Sequence, residues 1–348
     1  MRTPSGVGRS RAWLIVEAAA VTAVAAIGVL ARTTIGRSLA AAIHADGSWI
    51  AATFAFELAS IMTFARTQRV ILRAIGGRIS ILSMAATATI GNAISFTLPL
   101  IGPGAGTAFT FRRFVRFGSD PAAATWALGT AWMLSSAAWS LVLIVGAIVS
   151  GDLVASLAGL SLSGAILLAA MVLTVVLRRP GLRNHAGNVA ATLVRRVARM
   201  SGRLDQSSHD RVDEALERFV SYRIAGSRWA EALFLSLINW TGGAACLAAA
   251  ILAVRAPVPW NKVLLVYSAG ATVSSFNLTP GGLGVVEGTL TAGLVGAGMN
   301  SKSALGAVVI FRIATFWVPI AVGWGLYALV DRRAQRTRGH ASEHQMGD

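Results

Sequence analysis

The 348-residue chain is 55% hydrophobic and only 13% charged, and its mean hydropathy is +0.63. Because soluble domains carry about a quarter charged residues, this composition excludes an ordinary soluble globular protein. The net charge of +16 lies in arginine-rich segments between apolar runs, which indicates the basic cytoplasmic loops of a membrane protein rather than a surface that binds nucleic acid.

Apolar runs long enough to span a bilayer follow one another along the chain. About 20 apolar residues cross the hydrocarbon core, and five stretches contain no Asp, Glu, Lys or Arg: 79–111, 121–151, 153–177, 232–254 and 263–286. We predict membrane spans at about 13–31, 48–65, 79–99, 121–149, 155–177, 232–254, 263–279 and 303–330. The predicted fold class is therefore all-α, a polytopic integral membrane protein with about eight transmembrane helices.

Two shorter apolar segments, at about 102–117 and 282–299, are rich in glycine. Backbone that breaks at membrane depth must be shielded by protein or line a wet cavity, so we predict re-entrant or broken helical segments there. A shift of 180 residues aligns eight identical residues in 30 positions, including Gly102 with Gly282 and Gly104 with Gly284. This similarity predicts an inverted repeat, as in transporters that build a site near the membrane midplane.

Arginine positions divide the chain into five parts. These are a cytoplasmic N-terminus (1–12), a first membrane unit (13–177), a basic cytoplasmic amphipathic segment (178–231), a second membrane unit (232–330) and a cytoplasmic tail (331–348). Segment 178–231 holds eleven Arg and fits either a helix on an anionic leaflet or a solvated linker. All basic regions fall inside if both short segments contribute a crossing, so we expect a protein of the cell membrane with cytoplasmic termini.

The strongest local feature is the run Pro-Gly-Gly-Leu-Gly-Val-Val-Glu at 280–287. Proline removes a backbone donor and glycine permits conformations that are closed to other residues, so the helix should break here. A helix restarting after Gly284 presents free amides that can hold an anion. Glu287 is costly in an apolar environment, so it either has a function or caps backbone or pairs with arginine. Arg312 is the expected partner, or a binder of phosphate-bearing headgroups.

Several other polar residues lie within the predicted spans. Asn92 and Asn277 precede the two breaks and are expected to form interhelical hydrogen bonds. Glu57 lies inside the span at 48–65 and is interpreted as part of a polar contact between helices, with a function as the alternative. The sequence contains no Walker A motif, catalytic triad or metal-ligand cluster. We therefore expect no enzymatic activity, no catalytic residue, no metal and no cofactor.

The run at 280–287, with Phe311-Arg312 before Trp317-Val318-Pro319, resembles the membrane domain of lysylphosphatidylglycerol synthases over about residues 10–335. Asn92, Pro99, the glycines at 102–106 and Arg112 are similar to an earlier element of that family. Family members often carry an acidic residue beside these glycines, whereas Ala105 and Thr107 stand here. Full-length synthases continue into an aminoacyl-transferase domain, so the resemblance implies a stand-alone translocation unit.

What the resemblance implies is a flippase-like transporter that moves a modified phospholipid or glycolipid between leaflets. The residues that it implies for substrate binding are Glu287, Arg312, Pro280, Gly281, Gly282, Gly284, Asn277, Asn92, Pro99, Gly102 and Arg112. The expected partners are membrane lipids, through their headgroups, and a lipid-modifying enzyme. The alternative is a membrane scaffold that presents lipid to a partner synthase or glycosyltransferase.

Overall fold

The computed structural model describes residues 45–153, scattered positions between 157 and 172, residue 222, and residues 224–277 and 279–330. Regular secondary structure in this part of the chain is entirely helical, which confirms the all-α fold class. The predicted span at 13–31, most of the span at 155–177, most of segment 178–231 and the tail at 331–348 lie outside the described residues.

Eight helices organise the described residues. They are α1 (Gly47–Ala74), α2 (Ile81–Thr97), α3 (Gly102–Arg116), α4 (Pro121–Ser150), α5 (Gly226–Ala253), α6 (Val263–Ser275), α7 (Val285–Gly296) and α8 (Ser301–Val330). Helix α8 contains a π-helical turn at Ile313–Trp317. Four of the eight, α1, α4, α5 and α8, have 28 or 30 residues and are long and apolar enough to cross a membrane. The chain is therefore a multi-pass membrane protein.

Side-chain caps fix where several of these helices begin. Asp46 accepts a hydrogen bond from the Ser48 amide at 2.9 Å, and Asn300 accepts one from the Lys302 amide at 2.9 Å. Asp120 caps α4 in the same way, and Pro121 occupies the first helical position, where its missing N–H costs nothing. The apolar runs therefore begin as helices at positions that the local sequence specifies.

Helices α1 and α5 form the central antiparallel pair. At one end the Asp46 amide donates to the Ala253 carbonyl at 2.8 Å, and near the middle the Ser60 hydroxyl donates to the Asn239 side chain at 2.9 Å. Gly242 lies at this interface, where a Cβ would lie 3.8 Å from the Phe56 carbonyl. Small residues of this kind let helix backbones approach closely in a membrane.

The shorter helices form two helical hairpins. The first hairpin is α2 and α3, joined by a tip at 98–101, and the second hairpin is α6 and α7, joined by a tip at 276–284. Their arms have 17, 15, 13 and 12 residues, which gives lengths of about 18–26 Å. Each is shorter than the roughly 30 Å hydrocarbon core. The predicted spans at 79–99 and 263–279 therefore pair with the short glycine-rich segments that follow them.

Candidate functional site

The tip of the second hairpin depends on glycine. Gly281, Gly282 and Gly284 have φ angles of +58°, +69° and +82°, which L side chains rarely adopt. Pro280 to Gly282 form a single 3₁₀ turn between α6 and α7. A Cβ on Gly281 would also overlap the ring of Phe316. The predicted helix break at 280–284 is thus confirmed, and it has both conformational and steric causes.

Glu287 and Arg312 form a buried ion pair at this break. The Arg312 Nε donates to Glu287 Oε1 at 2.6 Å, while Glu287 Oε2 accepts from the Gly284 amide at 2.7 Å. Arg312 Nη2 also donates to the Gly281 carbonyl at 2.6 Å. Glu287 therefore pairs with arginine and caps α7, and Arg312 ties α8 to the tip of the second hairpin.

The surroundings of Arg312 isolate it from water. Only 7% of the residue is exposed, and its guanidinium lies 4.3 Å from the centroid of the Phe316 ring. Phe316 lies in the π-helical turn that directly follows Arg312, and such turns occur frequently at functional sites. A cation over an aromatic face gains electrostatic stabilisation that grows as water is removed. The charge is thus held by a carboxylate, a carbonyl and a π face together.

Asn277 joins the tips of the two hairpins. Its Nδ2 donates to the carbonyls of Ser95 at 3.0 Å and Leu98 at 2.9 Å, and the Leu100 amide donates to the Asn277 carbonyl at 3.1 Å. The last carbonyls of a helix have no partner within the helix, so an amide side chain from another element satisfies them. The predicted interhelical hydrogen bonding of Asn277 is found, and it links segments about 180 residues apart.

Of the remaining predicted site residues, Gly102 and Pro99 lie at or beside the tip of the first hairpin, whereas Asn92 and Arg112 lie along its two arms. Gly102 packs at the contact, where a Cβ would lie 3.1 Å from Asn277 Nδ2, and Pro99 is exposed at the tip of the first hairpin. Asn92 is half-buried on α2 and makes no hydrogen bond with another described residue. Arg112 is exposed in the second half of α3, ten residues and so about 15 Å along the helix from Gly102. The structure does not bring Arg112 to the site.

Two features of the site had escaped the sequence reasoning. Phe316 follows Arg312 by four residues, a helical spacing that places the two side chains on one face. The tips also expose apolar side chains, with Leu100, Ile101 and Phe276 at 72%, 66% and 63% exposure. In a bilayer such side chains contact lipid tails or the wall of an apolar cleft. Within the described ranges no three His, Cys, Asp or Glu residues come together as metal ligands.

Comparison with known proteins places the chain in a family. Residues 11–323 match the family described as the lysylphosphatidylglycerol synthase TM region. A UPF0104 membrane protein of Methanothermobacter thermautotrophicus is 31% identical over 90 residues, which is 26% of each chain. The UPF0104 membrane protein PH1989 of Pyrococcus horikoshii is 25% identical over 134 residues, which is 36% of this chain and 40% of the relative. These matches thus span less than half the length of the curated relatives. The match over residues 11–323 shows that this chain belongs to the family of the lysylphosphatidylglycerol synthase transmembrane region.

Proposed function

We propose that the protein moves a modified phospholipid or glycolipid between the leaflets of the cell membrane. The observation that carries this proposal is the buried Glu287–Arg312 pair at a broken helix. An arginine side chain has five N–H donors, of which two are engaged with Glu287 and Gly281. The other three would reach phosphate oxygens once the site opens, and the planar guanidinium is well suited to binding them.

The apolar tips support a lipid, rather than a small soluble solute, as the substrate. Leu100, Ile101 and Phe276 are largely exposed beside the polar site. A headgroup can therefore bind at the ion pair while its acyl chains remain in lipid against these side chains. A headgroup without polar partners in the hydrocarbon region would carry a large desolvation cost, which a buried charged site reduces.

An inverted repeat would explain how such a site opens to both leaflets. Helices α1–α4 and α5–α8 follow the same order of long, short, short and long with an offset of about 180 residues, and the corresponding helices α1 and α5 are antiparallel. The first hairpin would then enter from the cytoplasmic side and the second from the outer side. This arrangement keeps the basic segments and both termini in the cytoplasm, in agreement with the positive-inside rule.

Sidedness can be tested by thiol labelling in intact cells. Cys246 is the single cysteine, so Arg116→Cys and Trp260→Cys can each be placed in a Cys246→Ala background. Both positions are exposed. We expect a membrane-impermeant maleimide to label position 260 from outside and position 116 only after the membrane is permeabilised. Labelling of both from the same side contradicts the inverted arrangement.

Movement requires the two hairpin tips to separate. The three hydrogen bonds at Asn277 close the contact between them, so their rupture would open the site towards one leaflet at a time. The sequence has no Walker A motif, so we propose that a lipid gradient, the membrane potential or protons drive the transport.

A leaflet-accessibility assay tests the function directly. Purified protein is reconstituted in liposomes with fluorescent lipids that carry anionic, aminoacylated or glycosylated headgroups. A membrane-impermeant quencher is then added outside, and the fraction of fluorescence that it removes is followed over time. We expect wild type to equilibrate at least one of these lipids and Glu287→Gln to lose this activity while it keeps its expression and fold. The control is Glu231→Gln, at the start of α5 beside Arg228. Full activity in Glu287→Gln contradicts the role of the pair.

The second candidate is a scaffold that presents lipid to a partner enzyme. It is favoured by the fact that Glu287 and Arg312 already satisfy each other, as in a purely structural tie. In the same liposomes a scaffold would bind lipid, and copurified lipid would be found by mass spectrometry, but the label would stay in one leaflet. That outcome would replace the transport proposal.

A further inference from the structure

A second membrane-embedded carboxylate, Glu57, lies apart from the Glu287–Arg312 pair. It is ten residues from the start of α1, which places it about 15 Å along a helix that crosses a core of roughly 30 Å. Thr53, one turn earlier, accepts a hydrogen bond from the Cys246 thiol at its carbonyl, and Ser60, one turn later, bonds Asn239. Glu57 therefore faces α5 near the middle of the bilayer.

Tyr267 of α6 reaches the same level of the interface. A Cβ on Gly243 would overlap the Tyr267 hydroxyl, so the absence of a side chain there makes room for the phenol. Gly242, which directly precedes Gly243, lies against α1, where its Cβ position is 3.8 Å from the carbonyl oxygen of Phe56, the neighbour of Glu57. A carboxyl on α1, a thiol on α5 and a phenol on α6 thus lie at one level of the interface between α1 and α5.

No cation balances this group within the described ranges. Neither a hydrogen bond nor an ion pair reaches the Glu57 carboxyl from a described residue. Of the elements packed against α1, helices α2 and α4 carry no charged or titratable side chain. Helix α5 carries Cys246 and, near its start, Arg228 paired with Glu231, and α8 carries Lys302, Arg312 and Tyr327. Arg312 is already bonded to Glu287 and to the Gly281 carbonyl. An unpaired carboxylate at this depth is costly, whereas a carboxylic acid is neutral and can donate a hydrogen bond.

We propose that Glu57 is a proton-binding site of the membrane core, and that it takes up and releases one proton during each transport cycle. The proton adds to a carboxylate oxygen and later leaves it, and Tyr267, at the same level of the interface, is the donor that we propose for that oxygen once the proton has left. The binding of the proton stands by itself, while its coupling to transport rests on the proposed function.

A path of contacts joins this site to the ion pair. The Tyr267 ring lies edge-on to Phe311, with centroids 6.3 Å apart, and Phe311 directly precedes Arg312. A negative charge appearing on Glu57 would draw the Tyr267 hydroxyl towards α1, and the ring movement would be transmitted to the α8 residue beside the lipid site. Proton release and a change at Arg312 are therefore mechanically linked.

Proton binding can be measured without any transport. Infrared spectra of the purified protein in lipid nanodiscs, recorded during a pH titration, report the carbonyl band of protonated carboxyl groups. We expect a titrating band in wild type and in the control Glu231→Gln, and its loss in Glu57→Gln. Identical difference spectra for wild type and Glu57→Gln would overturn the proposal.

Two further measurements define the partner and the coupling. Tyr267→Phe keeps the ring and removes the hydroxyl, so we expect the Glu57 band to persist with a shifted titration midpoint. An unchanged midpoint would show that the Tyr267 hydroxyl does not interact with Glu57. In liposomes, a pH gradient should change the rate of lipid movement by wild type several-fold and should leave the rate of Glu57→Gln unchanged. If wild type moves lipid at one rate with or without the gradient, the coupling is wrong. If wild type moves no lipid, the proposed function fails, while the infrared result still decides proton binding.

Discussion

The two hairpins have the same construction but very different electrostatics. Each is a pair of short helices joined by a short tip, which is glycine-rich in the second hairpin and directly precedes Gly102 in the first, and the two tips meet through Asn277. At the offset of 180 residues, however, Glu287 corresponds to the exposed Thr107, and Arg312 corresponds to Trp132, which is 76% exposed. The backbone form is thus shared, whereas among the described residues the ion pair at the tip belongs to the second hairpin alone.

The difference indicates separate tasks for the two hairpins. A helix break needs residues that adopt the turn: the second tip uses Gly281, Gly282 and Gly284 at positive φ, whereas the first tip places Leu100 at a φ of +58°. A buried charge must in addition find a partner of opposite sign, which α8 supplies to the second hairpin through Arg312. The first hairpin therefore lacks the charged partner that Arg312 gives to the second hairpin.

The largest effect should come from breaking the charged tip. Arg312→Gln leaves the Glu287 carboxylate without its cation and the Gly281 carbonyl without its donor, and removal of one partner of a buried pair costs about 3–5 kcal/mol. We expect a strongly lowered unfolding temperature in detergent. Arg112→Gln, exposed at the far end of α3, should change stability by less than about 0.5 kcal/mol. Equal losses in both variants would argue against a special role for the pair.

A smaller loss should follow separation of the tips. Asn277→Ala removes the donor to the Ser95 carbonyl and one of the two donors to the Leu98 carbonyl, which keeps the Gly102 amide, and leaving a buried acceptor unpaired costs about 1–3 kcal/mol. Asn92→Ala is the matched control, because Asn92 is half-buried and has no hydrogen bond to another described residue. Chemical unfolding of the two variants measures the difference. A cost at Asn92 as large as that at Asn277 would refute the assigned contact.

The smallest effect should separate two glycines at equivalent positions. Gly284 has a φ of +82°, so Gly284→Ala should cost about 1–2 kcal/mol in backbone strain. Gly104 lies within α3 with open space around its Cβ position, so Gly104→Ala should be neutral or raise stability by up to about 1 kcal/mol. The unfolding temperatures of both variants, compared with wild type, show whether each substitution lowers or raises stability. A destabilised Gly104→Ala would mean that both tips depend on glycine in the same way.

Hydrophobicity along the chain located the described long helices closely. The spans predicted at 121–149 and 303–330 are α4 and α8, which end within two residues of the predicted bounds. The span predicted at 48–65 stopped too early, because Arg66 and Arg69 end the apolar run while α1 continues to Ala74. Its last turns remain helical because Ile71 and Leu72 are buried and because the Arg69 Nε donates to the Ile79 carbonyl. Charge at a membrane boundary therefore marks the end of the apolar run rather than the end of the helix.

The sequence by itself determined the class of protein, the helix breaks and the residues of the ion pair, because apolar length, glycine and proline content and isolated charges act locally along the chain. Only the tertiary structure decided that Asn277 closes the first hairpin, that Phe316 covers Arg312, that Arg112 lies away from the site and that Tyr267 packs against Gly243 of α5. These contacts join residues that are distant in sequence or that depend on which face of a helix is packed. The physical reason is that helix formation depends on neighbouring residues, whereas a partner across the membrane core is fixed by the packing of whole helices against one another.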